Sequence, residues 1–140
     1  MKLWVFTCND SPLEHWLDGF KERFDAWEAG GVRGLVVGRM IFRQEDGSSI
    51  SAYAPDPKVY AAFGEEPPAV GRRDLDKEKQ LQAMMDDAAA RGWQILIFGG
   101  GNTAQVQDMM NAFPQAQGMV FDGPGENHYE LAFHHGGEFF

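Results

Sequence analysis

The densest chemistry in this sequence falls in residues 122–138, where Asp122, Glu126, Glu130 and Glu138 supply carboxylates and His128, His134 and His135 supply every histidine except His15. A pair of carboxyl groups beside an imidazole can do general acid–base work when burial and neighbouring charge drive their proton affinities apart. The same side chains have plainer uses, with Asp122 and Asn127 capping turns and the histidines satisfying backbone carbonyls. Histidine and carboxylate together also suit zinc or a similar divalent ion. In extended chain, however, the adjacent His134 and His135 point to opposite faces and cannot readily chelate one ion, and no His-Glu-x-x-His run is present. No metal and no cofactor is expected; a metal-dependent hydrolase using His128, His134 and neighbouring Glu or Asp residues is an alternative.

Other candidates lie singly. The run Gly99-Gly100-Gly101-Asn102 permits close backbone approach to a ligand and opens a helix whose positive end would welcome an anion. It lacks the P-loop lysine and the GxGxxG spacing, and a turn followed by a helix cap is the simpler reading. Cys8 follows a strand pattern, where a helix N-terminus would lower a thiol's proton affinity, although a lone cysteine is more often a small buried side chain. Tyr53 and Tyr60 are candidates for stacking on a ligand, whereas Trp16, Trp27 and the paired methionines read as core.

These residues need elements to position them. Residues 2–7, with Trp4, Val5 and Phe6 in a row, predict a strand covered on both faces. Ser11-Pro12-Leu13-Glu14 has the form of a capping box, and Leu13, Trp16, Leu17, Phe20, Phe24 and Trp27 follow at helical spacing, predicting one helix ended by Gly30-Gly31. Residues 33–42 predict a second strand. A long elaborated loop over 44–73 comes next, rich in turn residues, with a short helix at 58–63. Residues 74–91 predict a helix stopped by Gly92, and 93–98 a third buried strand. Asn102 then caps a helix carrying Val106, Met109, Met110 and Phe113, closed by Pro114, and 118–121 predict a fourth strand. Alternating strands and helices call for an α/β fold with a parallel sheet of about four β-α units. In such folds ligands bind at the carboxyl ends of the strands.

Composition narrows the class of partner. With 140 residues, 44% hydrophobic and 24% charged, the chain has the make-up of a single α/β domain over 1–140. A formal charge of -9 argues against nucleic acid, because Arg72-Arg73 is too small a basic patch to neutralise phosphates. The longest strongly apolar stretches, 35–37 and 95–98, are too short to cross a bilayer. The single Cys8 cannot form an internal disulfide, so a reducing, cytoplasmic compartment is expected.

Certain residues carry a resemblance. Phe6-Thr7-Cys8-Asn9-Asp10-Ser11-Pro12, then Phe24-Asp25-Ala26-Trp27 with Gly30-Gly31-Val32-Arg33-Gly34, and the run FDGPGENHYELAFHHGGE over 121–138 resemble the N-terminal part of a little-characterised bacterial family. That family is itself similar to TIM-barrel glycoside hydrolases, and its members are longer. The resemblance implies the first half of a (β/α)8 barrel, with the small open α/β sheet as the alternative. It further implies a carbohydrate-type small molecule held at the strand-end rim by Asp10, Arg39, Asn102, His128 and Glu130. An acid–base carboxylate after the fourth strand, where Asp122 and Glu126 fall, is common in this architecture, with the nucleophile or base on a later strand.

The expected activity is therefore glycoside hydrolase-like, with Glu126 as proton donor and Asp122 as its partner. The rival from another class is a non-catalytic sugar- or anion-binding or self-assembling domain. Four strand-helix units cannot close an eight-stranded barrel and would leave two sheet edges open. A homodimer or the remainder of a larger barrel is the expected partner, and the apolar ending at Phe139-Phe140 fits a chain cut within a larger fold or a tail packed on a partner.

Overall fold

The structure, a computed structural model, describes residues 2–7, 13–38, 40–69, 71–99, 102–120 and 138–139. In chain order its elements are β1 (Leu3–Thr7), a short 3-10 helix (Leu13–Trp16), α1 (Phe20–Ala29), β2 (Val32–Val37), β3 (Ile41–Arg43), β4 (Ser49–Ser51) and α2 (Pro57–Ala62). There follow α3 (Leu75–Ala90), β5 (Gln94–Phe98), α4 (Thr103–Ala112), β6 (Gly118–Val120) and β7 (Glu138–Phe139). The main sheet runs β1-β2-β5-β6-β7, and each neighbouring pair is parallel. Each of these strands therefore adds beside its predecessor, with no reversal of order and no closed barrel among the described residues. This is the α/β parallel sheet that the alternating pattern predicts, in an open form; the two-residue β7 is a strand beyond the four expected.

The register sorts side chains onto two faces. Val5, Leu35 and Ile95 lie abreast, as do Thr7, Val37, Ile97 and Met119. The aliphatic members of these rows pack with Phe24, Leu81, Met84, Met85, Ala88, Trp93, Val106, Met109 and Phe113 in one core. On α3 the buried Leu81, Met84, Met85 and Ala88 recur at three- and four-residue steps, which is one stripe of a helix. Leu81, Met84 and Met85 each contribute roughly 1.5–3 kcal/mol by leaving water, and the methyl of Ala88 less than about 1 kcal/mol. The other face carries Trp4, Gly34 and Gln94 abreast, then Phe6, Val36, Leu96 and Gly118, then Phe98 and Val120. None of these belongs to the core formed with the helices.

The expectation that β1 is covered on both faces fails. It is the end strand of the sheet, and Leu3, Trp4 and Phe6 remain 40%, 39% and 38% exposed. Trp4 instead lies over β2 at Gly34, where a Cβ would fall inside the indole ring.

Two further departures are local. The predicted helix from Leu13 to Trp27 is broken: a 3-10 turn precedes Gly19, which takes φ 62 as the N-cap of α1. A left-handed residue redirects the chain at little cost only when it lacks a Cβ. The break still delivers the aromatic residues to one core, with Trp16 and Trp27 ring centres 6.0 Å apart and Phe24 and Trp93 4.9 Å apart. The strand predicted over 33–42 also divides, because β3 leaves the main sheet to form an antiparallel hairpin with β4. Its turn is closed by Gln44 N donating to Ser48 O at 2.7 Å, and the Asp46 carboxylate accepts from both Ser48 N and Ser48 Oγ. Among the described residues no helix is long and apolar enough to cross a membrane.

Candidate functional site at the strand ends

Because β1, β2, β5 and β6 are parallel, their carboxyl ends share one edge of the sheet. Backbone geometry ties that edge together. The Thr7 hydroxyl donates to Val36 O at 3.2 Å and accepts from Gly38 N at 2.9 Å, so one side chain at the end of β1 holds the end of β2. Gly38 approaches so closely that a Cβ there would overlap the Thr7 carbonyl. Further along, Gly99 N donates to Val120 O at 3.0 Å and joins the ends of β5 and β6.

Of the residues expected at the rim, Asn102 is described. It is exposed and caps α4: its Oδ1 accepts from Gln105 N at 2.8 Å and its carbonyl from Val106 N at 3.1 Å. Its side-chain oxygen is thus committed to the helix, as an N-cap requires. Asp10, Arg39, Asp122, Glu126, His128 and Glu130 lie outside the described residues, as do Cys8, His134 and His135. By sequence, Asp10 is the third residue after Thr7, Arg39 the second after Val37 and Asp122 the second after Val120.

Two features were missed in the sequence. One is a groove of about 590 Å3 lined by His15, Arg43, Gln44, Asp46, Arg72 and Lys77, among others. Here the 3-10 helix, the β3–β4 turn and the start of α3 meet. Arg72 Nη2 donates to Gln44 Oε1 at 3.1 Å, and the Lys77 ammonium stands 5.8 Å from the Phe42 ring centre and 3.9 Å from Asp74 Oδ2. The two Ser48 hydrogen bonds, aided by the Arg72 charge, hold the Asp46 carboxyl below its ordinary range. The groove is polar and mixed in charge, suited to a hydroxylated or anionic ligand. No local signal in the sequence sets residues 43–46 beside 72–77; only the hairpin does.

The second feature is the sheet face whose residues, among the described ones, lie outside the helix-packed core. Trp4 packs against Gly34, Phe6 meets Phe98 edge-on with ring centres 5.2 Å apart, and both Trp4 and Phe6 keep nearly two-fifths of their surface exposed. Exposed aromatic rings seated on rigid backbone offer flat apolar surfaces against which a ring-shaped ligand can stack. The tyrosines expected to do this, by contrast, are inside: Tyr53 is 9% and Tyr60 2% exposed. Turn-rich sequence around them reads as surface loop, but Tyr53 packs edge-on against Phe113 of the α4 C-cap at 5.5 Å.

Among the described residues no group of three or more His, Cys, Asp or Glu side chains could hold a metal ion. Fold and rim together define an α/β protein with a sequentially ordered, open parallel sheet. No family model, curated protein or solved structure matches the chain.

Proposed function

We propose that the chain is a carbohydrate-active, glycoside hydrolase-like protein, in which Glu126 protonates the glycosidic oxygen and Asp122 acts as its carboxylate partner. The observation that supports this most is the sequential parallel order of the sheet. It makes one edge the exit for every segment on which Asp10, Arg39, Asn102, Asp122 and Glu126 follow. The exposed Trp4 and Phe6 rings are the surfaces a sugar ring would stack on. Asp10, Arg39, Asn102, His128 and Glu130 would bind hydroxyl groups, and no metal or cofactor is needed for such chemistry. The lone Cys8 accords with a cytoplasmic location.

Amide variants test the assignment. Glu126→Gln and Asp122→Asn should each lower turnover of an aryl glycoside that the parent cleaves by at least about a hundredfold, with unchanged circular dichroism. Full activity in either variant removes that residue from its role.

A second reading, a non-catalytic sugar- or anion-binding domain that self-associates, is favoured by the polar, mixed-charge groove and by the exposed β1 edge. It predicts sugar or anion binding by calorimetry without turnover. Its partner would be a second copy, or the remainder of a larger barrel, covering the open strand.

A further inference from the structure

Asp108 is the only charged residue of α4 (TAQVQDMMNA) and is 2% exposed. Its Oδ1 accepts from Asp56 N at 3.1 Å, and Asp56 is the N-cap of α2, its own carboxylate accepting from Lys58 N. One buried oxygen therefore fastens the start of α2 to α4. The other oxygen, Oδ2, is buried with no hydrogen-bond partner, and so is the hydroxyl of Tyr60, a residue of α2 that is itself 2% exposed. None of the ion pairs of the described residues includes Asp108.

A carboxylate in that position has the Asp56 N–H and the Tyr53 hydroxyl beside it but no counter-ion, and a buried charge without one costs several kcal/mol. The neutral acid is well served. Its Oδ1 still accepts from Asp56 N, and its O–H becomes a donor in a place where phenol oxygens can accept. The titratable groups acting on this network are Tyr53 ahead of α2, Asp56 at its N-cap, Tyr60 within it and Glu65 beyond its end. Each of these is an acid. Lys58 of α2 is on the surface.

We infer that Asp108 is a proton-operated latch for the segment 52–65: as the neutral acid it holds α2 against α4, and as the carboxylate it releases it. Burial raises the Asp108 carboxyl above its ordinary value and the Asp56 charge adds to this, while the Asp56 N–H and the Tyr53 hydroxyl, both of which favour the carboxylate, oppose it. Burial and then the Asp108 charge likewise raise both phenols, so Tyr53 and Tyr60 stay protonated across the range concerned. For an acid raised in the folded state, the stabilising contribution is complete below the ordinary carboxylate range. It is lost as pH rises through the raised value. The segment so released belongs to the long connection leaving the strand-end rim between β2 and α3, so ionisation loosens a loop of that rim and leaves the sheet intact.

Hydrogen exchange, corrected for intrinsic rates, tests this on the parent chain from the ordinary carboxylate range, about pH 4, up to about pH 8. Protection of amides in α2 should fall several-fold with rising pH while β5 amides hold. Asp108→Asn, which keeps an acceptor for Asp56 N and carries no charge, should remain protected throughout. A flat α2 profile in the parent, or an Asp108→Asn profile that still falls with pH, overturns the latch. Should the variant not fold, carboxyl carbon NMR of the parent decides. An Asp108 titration coinciding with the loss of protection supports the latch, and a carboxylate already ionised where α2 is protected overturns it.

Discussion

Arg91 offers the sharpest test of how the helical layer is held to itself. It is the C-cap of α3, and its guanidinium reaches Asp87 Oδ2 and Asp25 Oδ1, each at 2.7 Å, with Glu28 Oε2 at 3.8 Å. It also stands 5.8 Å from the ring centres of both Phe24 and Trp93, with its side chain 15% exposed. The three carboxylates are not equal. Asp25 is 72% and Glu28 41% exposed, so water and salt screen those pairs to about 0.5 kcal/mol or less each. Asp87 is 23% exposed, and its charge-assisted bond is worth about 1 kcal/mol. Contact with the two rings adds about 0.5–1 kcal/mol, and the buried stem contributes some packing as well.

Arg91→Ala should therefore cost about 2–3 kcal/mol in urea unfolding, with an unchanged m-value. Arg91→Lys should cost about half of that, since an ammonium keeps the charge and loses both the fork and the stacking. A double-mutant cycle with Asp25→Asn should return a coupling under about 0.5 kcal/mol. Two results would refute the reasoning. One is an Arg91→Ala cost below about 0.5 kcal/mol; the other is a cost that disappears entirely in molar salt, which would make the clamp surface electrostatics alone.

Asn102→Ala should destabilise the chain by about 1 kcal/mol by uncapping α4, while Asn102→Asp should be nearly neutral; a loss of ligand binding in Asn102→Asp without loss of stability would instead assign its exposed amide to the ligand. If a second copy covers β1, sedimentation equilibrium of the purified chain should show a concentration-dependent dimer that Trp4→Lys with Phe6→Lys weakens. A parent that stays monomeric at the highest attainable concentration excludes the homodimer.

The parallel α/β sheet was legible because local rules and tertiary structure agree along most of the chain. Residues 95–98 are apolar without alternation, in a run bounded by Gly92 and Gly99, which suits a buried strand. Asn102 and Asp74 each precede a helical stripe and both cap it as such residues do, through Gln105 N and Lys77 N. The failures came where local sequence carries two meanings. Leu13 to Trp27 keeps a helical period through Gly19, yet Gly19 turns left-handed, and periodicity does not register the sign of one φ. Of the rim, Asn102 alone of the expected residues has a described position, and its oxygen serves the helix.

From its sequence alone the chain determined its fold class, the stripes that its helices bury and the position of its polar residues after strands, because these depend on period, caps and turn chemistry within a few residues. Only the tertiary structure decided that β1 is the end strand with Trp4 and Phe6 exposed, that the β3–β4 turn meets α3 in a charged groove, and that Asp108 faces Asp56, Tyr53 and Tyr60 from α4. Each of these joins residues far apart in the chain. Sheet order and loop path set such contacts, and local propensity holds no record of either.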